Sequence, residues 1–171
     1  RYSPGAWVQE TKVTASDGDA DDEFGGSVSI SGNVAIIGAH GNSDAGSDSG
    51  SAYVFRNNGN TWVEEAKLTA SDAAAADWFS RGAVAVFGDI AIVGAFGNDD
   101  AGINSGSAYI YRYNGSSWTQ EAKLTAPDAA ARAQFGYRVA LSENTAVISA
   151  PHDSGNAYEG GAVYVFKYNG A

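Results

Sequence analysis

Tryptophan recurs in this chain at a period of about 55 residues, and a fixed period of that size signals a repeat architecture before any single residue is interpreted. Trp7, Trp62 and Trp118 each open a segment with the consensus W-x-x-E-x-K-L-T-A-x-D, which carries Lys12, Lys67 and Lys123 and then Asp17, Asp72 and Asp128 in step. Phe24, Phe79 and Phe135 follow at matching offsets. Gly50, Gly106 and Gly161 then precede an aromatic pair in each copy: Tyr53 with Phe55, Tyr109 with Tyr111, and Tyr164 with Phe166. The copies occupy residues of approximately 15–69, 70–125 and 126–171, and residues 7–14 stand ahead of them as an extra segment. No linker or second domain is left over, so residues 1–171 are expected to form one architectural unit.

Each copy reads as four short strands. The first strands are Val28–Ile30, Val84–Val86 and Val139–Leu141, each followed by a short turn. Near-continuous apolar runs come next at Val34–Ile37, Ile90–Val93 and Ala146–Ile148. Such runs fit strands buried on both faces, because a half-exposed strand would alternate. Third strands are expected at Ala52–Arg56, Ala108–Arg112 and Ala162–Lys167, ending in Asn58-Gly59, Asn114-Gly115 and Asn169-Gly170. An Asn-Gly pair predicts a type I′ hairpin turn, which needs positive φ at both positions. The fourth strands run from Trp62 to Leu68 and from Trp118 to Leu124. The second copy reads Phe79-Ser80 where the others have Phe-Gly, and one extra residue before Ala83 predicts a bulge. Short alanine runs in the connections are too brief to hold a helix. The expected fold is all-β, with antiparallel four-stranded units of the propeller-blade type.

The pattern F-G-x-S-V-x-I, then I-x-G-A, then S-G-S-A-Y-V-F resembles the FG-GAP repeat, the blade unit of integrin-α-like propellers. With its W-x-x-E-x-K-L-T-A-S-D lead-in, it is similar to the bacterial extracellular branch of that family, and the resemblance covers nearly the whole chain. It implies a secreted or cell-surface module used in adhesion or ligand binding. Integrin-type blades carry a D-x-D-x-D-G calcium loop between their first two strands. The turns here (Ser31-Gly32-Asn33, Phe87-Gly88-Asp89 and Ser142-Glu143-Asn144) are too short and too poor in carboxylates for that site to carry over.

Counting strands raises a question of assembly. Residues 7–14 match a fourth strand with no first three before it, and the third copy reaches Lys167 without a fourth strand of its own. The two pieces are complementary. Closed propellers have four to eight blades, so three blades are not expected to close on themselves. The open alternatives are a homodimer that exchanges strands to make a six-bladed ring, a head-to-tail filament, or a segment of a larger propeller. Arg1 in place of an initiator Met points to a processed, excised or partial chain.

Charge and composition narrow the function. Asp and Glu number 20 against 10 Lys and Arg, a formal net charge of −10, which phosphate backbones and anionic lipid would repel. Nucleic acid is therefore not an expected partner, and no apolar run reaches the length of a membrane span. With no Cys, there is no disulfide framework, thiolate metal site or cysteine nucleophile. His40 and His152 are the only histidines and stand in no metal-ligand spacing. Nucleophile-elbow and phosphate-loop motifs are absent, and the expectation is a protein that is not an enzyme.

Two sets of residues are candidates for binding. Asp17, Asp19, Asp21, Asp22 and Glu23 crowd one loop, with carboxylates at alternate positions that suit a hard cation such as calcium. A solvated acidic loop is the favoured reading, since Asp22 stands where an EF-hand loop needs Gly and Val28 where it needs Glu. Loop carboxylates and amides between the second and third strands (Asp44, Asp48, Asp153, Asn156 and Glu159 among them) read as turn chemistry. Trp78, Phe96, Tyr137 and Tyr158 are aromatics that the repeat does not demand. On connecting loops they suit stacking on a sugar ring or a partner protein, or the filling of a local gap. The functional expectation is an extracellular propeller module for adhesion, ligand binding or self-assembly. Its alternatives are a carbohydrate-binding lectin and an accessory fragment of a larger secreted protein.

Overall fold

The structure is a computed structural model that describes residues 5–155 and 157–170. Its regular elements are all strands. The first sheet holds β1 (Ser27–Ser31), β2 (Val34–Ala39), β3 (Ser51–Asn57) and β4 (Trp62–Leu68). The second holds β5 (Val84–Phe87), β6 (Ile90–Ala95), β7 (Ser107–Tyr113) and β8 (Trp118–Leu124), and the third holds β9 (Val139–Ser142), β10 (Thr145–Ala150) and β11 (Ala162–Lys167). Every sheet is an antiparallel meander in sequence order. The first strands lie side by side, β1 against β5 and β5 against β9. The three sheets are thus propeller blades arranged around their inner strands, and the arc they form is open.

The blades stack through unlike faces. Blade 1 offers a face of small and aliphatic side chains, with Val34, Ile36, Ala52 and Val54, to an aromatic face of blade 2 that carries Tyr109, Tyr111 and Trp118. Ala108, Ile92 and Ile110 of blade 2 meet Tyr164 and Phe166 of blade 3 in the same way. Phe79 and Phe135 are wedged at these seams without solvent exposure. Phe79 sits edge-on to Tyr109 with ring centroids 5.7 Å apart, and Phe135 meets Tyr164 at 5.4 Å.

Glycine lets the backbones close in at the same seams. Gly106 bridges to Phe135, and a Cβ on it would stand 2.0 Å from the Phe135 carbonyl oxygen. Its φ of +84° is one that L-residues avoid. Gly50 approaches Phe79 in the same manner. The S-G-S-A-Y motif therefore combines a backbone contact with the next blade and, three residues later, a buried tyrosine.

Several sequence-based expectations change. Residues 7–14 form no strand: with no neighbouring strand to pair with, their backbone stays irregular and Trp7 is fully exposed. Blade 3 accordingly has three strands among the described residues. The Asn-Gly hairpins form, but only the glycine has positive φ, at +96° in both Gly59 and Gly115. Asn58 instead accepts the N–H groups of Asn60 and Thr61 on its side chain, which makes a four-residue loop in place of a type I′ turn. The extra residue before Ala83 enters no ladder, because β5 and β6 pair in even register from Val84 onward. It is taken up in the turn through Gly82, whose φ is +70°. The bulges lie in the fourth strands, where Glu65 and Glu121 drop out of register. Lastly, β10 is not buried on both faces but alternates, because its outer face has no blade against it.

A paired glycine experiment separates backbone strain from the seam contact. Gly59→Ala has open space around its new Cβ and is expected to cost about 1–2 kcal/mol for the left-handed backbone alone. Gly106→Ala adds a clash with Phe135 and is expected to cost about 3 kcal/mol or more, from the combined backbone and overpacking penalties. Urea-unfolding midpoints measure both.

Candidate functional site

Three of the four aromatics that the repeat leaves unexplained come together. Trp78 precedes β5, Phe96 follows β6 and Tyr137 precedes β9, so all three lie at the end of the blades where the inner strands begin. Trp78 packs on Phe96 with ring centroids 5.3 Å apart, and Phe96 packs on Tyr137 at the same separation. Phe96 is buried, whereas Trp78 and Tyr137 are half-buried. Two guanidinium groups cover the row. Arg81 lies 5.1 Å from the Trp78 ring and 5.9 Å from the Phe96 ring. Arg138 lies 4.5 Å from the Tyr137 ring and donates to the Tyr137 carbonyl at 2.8 Å. Both arginines are exposed, and neither has a carboxylate partner among the described residues. Tyr158 stands apart, almost wholly exposed in the loop before β11.

The scaffold explains how a tryptophan comes to sit there. Trp78 has φ +50°, a conformation that bulky residues rarely adopt. Its counterparts Glu23 and Gln134 have φ +54° and +57°, so the turn dictates the backbone in every blade whatever the side chain. In blade 1 the same two positions hold Glu23 and His40, whose Nε2 lies 3.2 Å from the carboxylate. A polar pair in one blade has become a ring pair in the next. This equivalence needs the residues on either side of an interval of varying length to be superposed, which the aromatic pattern alone does not reveal.

The acidic residues of the first loop do not converge. Asp17 accepts from Tyr53 Oη at 2.8 Å and from Lys67 Nζ at 2.7 Å. Asp22 is buried and accepts the Asp19 N–H at 3.0 Å and the Asn42 amide at 3.4 Å. Glu23 faces His40, while Asp19 and Asp21 are exposed. Among the described residues no three acidic, His or Cys side chains are grouped to hold a metal ion. In this arrangement the five carboxylates do not fit a calcium site. Asn156 lies outside the described residues; of the remaining loop residues, Asp44 reaches Lys67 at 2.5 Å.

The recurring Asp17, Asp72 and Asp128 belong to a repeated polar cluster, each accepting from the tyrosine of its blade. In blade 2, Lys123 bonds Asp72 and Asp100 and reaches Asn98 at 3.2 Å, while Tyr109 donates to Asp72 at 2.8 Å. Hydrogen bonding from Lys67 holds the Asp17 carboxyl below its ordinary range. Burial opposes ionisation of Asp72, yet the Lys123 and Tyr109 bonds outweigh it and leave this carboxyl lowered as well. Burial, and then the bond to Asp17, push the Tyr53 hydroxyl up to about 12, so it remains a donor at physiological pH.

A second clasp ties blade 1 to blade 2. The bulge re-aims Glu65, which accepts the Trp118 indole N–H at 2.8 Å and the Arg56 Nε–H at 2.7 Å. Arg56 in turn lies over Tyr113, whose ring packs on Trp118. Burial disfavours the charged form of Glu65, but its bonds from Arg56 and Trp118 keep its carboxyl lowered overall.

Antiparallel four-stranded blades that stack aromatic on aliphatic faces around their first strands define a propeller-type repeat protein. The profile of the FG-GAP repeat matches residues 7–55, 62–111 and 118–166, and the chain belongs to the FG-GAP repeat family. Comparison with curated proteins gives no match. The second and third matched stretches begin on the last strand of one blade and end on the third strand of the next, so the sequence repeat runs one strand out of phase with the blade.

The polar cluster has a pH signature. Because the folded carboxyl of Asp72 lies below its ordinary value of 3.8, its contribution to stability is complete above that pH and is lost as the pH falls through the lower folded value. Asp72→Asn is expected to destabilise by about 1 kcal/mol near neutral pH, a modest amount because the pair is partly exposed. The gap to the parent should close in acid, as read from unfolding curves across pH.

Proposed function

We propose that this chain is a non-enzymatic propeller module of the cell exterior that binds a ligand through the Trp78–Phe96–Tyr137 row. The observation that supports this reading is the pairing of three ring-stacked aromatics with two exposed arginines that have no carboxylate partner among the described residues, on a protein of net charge −10. Scaffold packing does not call for that combination, since the other blades place Glu23 with His40 and Gln134 with Pro151 at the Trp78 and Phe96 positions. The cluster offers π faces for an apolar ring and guanidinium donors for an anion. A carbohydrate that bears carboxylates, such as a uronic-acid oligosaccharide, presents both chemistries. The site lies on loops held by rigid strands, which is where such modules place recognition residues. Among the described residues no helix is long and apolar enough to cross a membrane, and export is assigned from the family's habit alone.

Titration calorimetry with a uronic-acid oligosaccharide and its neutral analogue tests the reading. Binding is expected for the acidic sugar only, and it should persist in EDTA because the contacts invoked are rings and guanidinium groups and no metal cluster is found among the described residues. Trp78→Asn keeps a residue that tolerates left-handed φ, and with Arg81→Ala it is expected to weaken binding at least about tenfold, roughly the loss of one charge-assisted contact. Absence of binding by any acidic glycan, or binding that both substitutions leave unchanged, defeats the proposal.

A further inference from the structure

The two ends of the blade stack are the two halves of its internal seams. On blade 1 the aromatic face has no blade before it: Val28 and Ile30 are 69% and 65% exposed, whereas their counterparts Val84 and Val86 are 8% and 5% exposed. On blade 3 the aliphatic face is bare, with Val163 and Val165 at 64% and 68% where Ala52 and Val54 of blade 1 are fully covered. Covering such side chains is favourable, because it removes apolar surface from water.

Both interactions that hold the internal seams stand half-built on blade 3. Arg112 donates to Glu121 at 2.9 Å and lies over the Tyr168 ring, reproducing the Arg56, Glu65 and Tyr113 cradle. No indole fills it. In its place is a cavity of about 360 Å³ lined by Ile90, Ile110, Glu121, Ala122, Phe166 and Tyr168. At the first seam the corresponding residues, Val34, Val54, Glu65 and Ala66 of blade 1 with Tyr111 and Tyr113 of blade 2, pack around Trp118. The polar cluster is likewise short of its cation: Tyr164 Oη lies 2.7 Å from Asp128 and 3.1 Å from Asp153, with no lysine beside them among the described residues.

The missing groups are Trp7 and Lys12. Counting from Trp62 and Lys67 places them in the same W-x-x-E-x-K frame. Blade 1 already holds the end of that segment in position. Val13 and Ala15 pack on its aromatic face, as Leu68 and Ala70 join the core against blade 2. Ser16 donates to Glu64 at 2.8 Å, as Ser71 donates to Gln120 at 3.0 Å. Ahead of that anchor, residues 7–12 are exposed and pair with no strand among the described residues.

We propose that residues 7–14 of a second copy of this chain add to the edge of β11, seating Trp7 in the Glu121–Arg112–Tyr168 cradle and Lys12 between Asp128 and Asp153. The register of the two complete blades sets the pairing. Tyr53 faces Lys67 and Val54 faces Ala66, so Tyr164 faces Lys12 and Val165 faces Thr11. The exposed Val163 and Val165 face of one copy then meets the Val28 and Ile30 face of the other. Made twice around a two-fold axis, this contact closes six blades into a ring and leaves no open sheet edge.

Light scattering on the 171-residue chain is expected to give twice the 17.6 kDa chain mass. Trp7→Ala and Lys12→Glu should each weaken dimerisation at least tenfold, and Asp128→Lys should restore it in the Lys12→Glu background. Because the protein has no Cys, Thr11→Cys combined with Val165→Cys reports the register directly. Oxidation is expected to link two chains covalently, which remains readable if a variant loses stability. A monomeric parent chain, a mass that keeps rising with concentration, or a disulfide confined to single chains overturns the proposal. These readouts are independent of sugar binding.

Discussion

The contact on which this structure depends is an unlike-face seam. A sheet with aliphatic side chains on one side and aromatic ones on the other cannot bury both alone, and each blade solves half of its neighbour's problem. Phe79 and Phe135 fill the seams, and Gly50 and Gly106 admit the next blade's backbone to within hydrogen-bonding reach. Because the contact is directional, it repeats without self-limiting. An arc of three blades therefore shows an aromatic face at one end and an aliphatic face at the other, which is why the exposed valines and isoleucine lie where they do.

Polar interactions fix the register of that stacking and contribute less to its bulk energy. Glu65 reaches Trp118 and Arg56 only because a bulge turns it out of the ladder. Lys123 gathers Asp72, Asp100 and Asn98 around a buried tyrosine. A lysine lost from such a cluster leaves carboxylates facing one another, and a tryptophan lost from its cradle leaves a cavity. Both penalties oppose a slipped strand, since a one-residue shift moves each side chain to the other face.

The candidate site uses the same scaffold without being required by it. The turn before each inner strand holds a non-glycine residue at positive φ in all three blades, so its backbone is fixed by the hairpins around it and its side chain is free to vary. Blade 2 places Trp78 there, next to Phe96, and blade 3 brings Tyr137 within stacking distance. That these three were unexplained by the repeat was legible in the sequence; that they touch, and that Tyr158 does not join them, was not. Their contact runs across a seam between blades, and its geometry depends on the stacking angle. The acidic loop shows the reverse. Its five carboxylates look like a cluster along the chain, but tyrosine, lysine, asparagine and histidine draw them apart in space.

The strands of the three blades and the all-β class followed from sequence, because hydrophobic period and glycine placement act locally and were repeated three times; the strand expected at residues 7–14 did not form. Local rules failed where a neighbour intervened. Asn58 chose its side-chain bonds over a left-handed backbone, the extra residue before Ala83 was absorbed by Gly82, and β10 alternates in burial for want of a blade beyond it. The sequence by itself determined the blade, the repeat and the residues that do not belong to the repeat. Only the tertiary structure decided which faces meet, which charges pair and which rings stack, because those contacts join residues far apart in the chain and depend on the angle at which one sheet lies against the next.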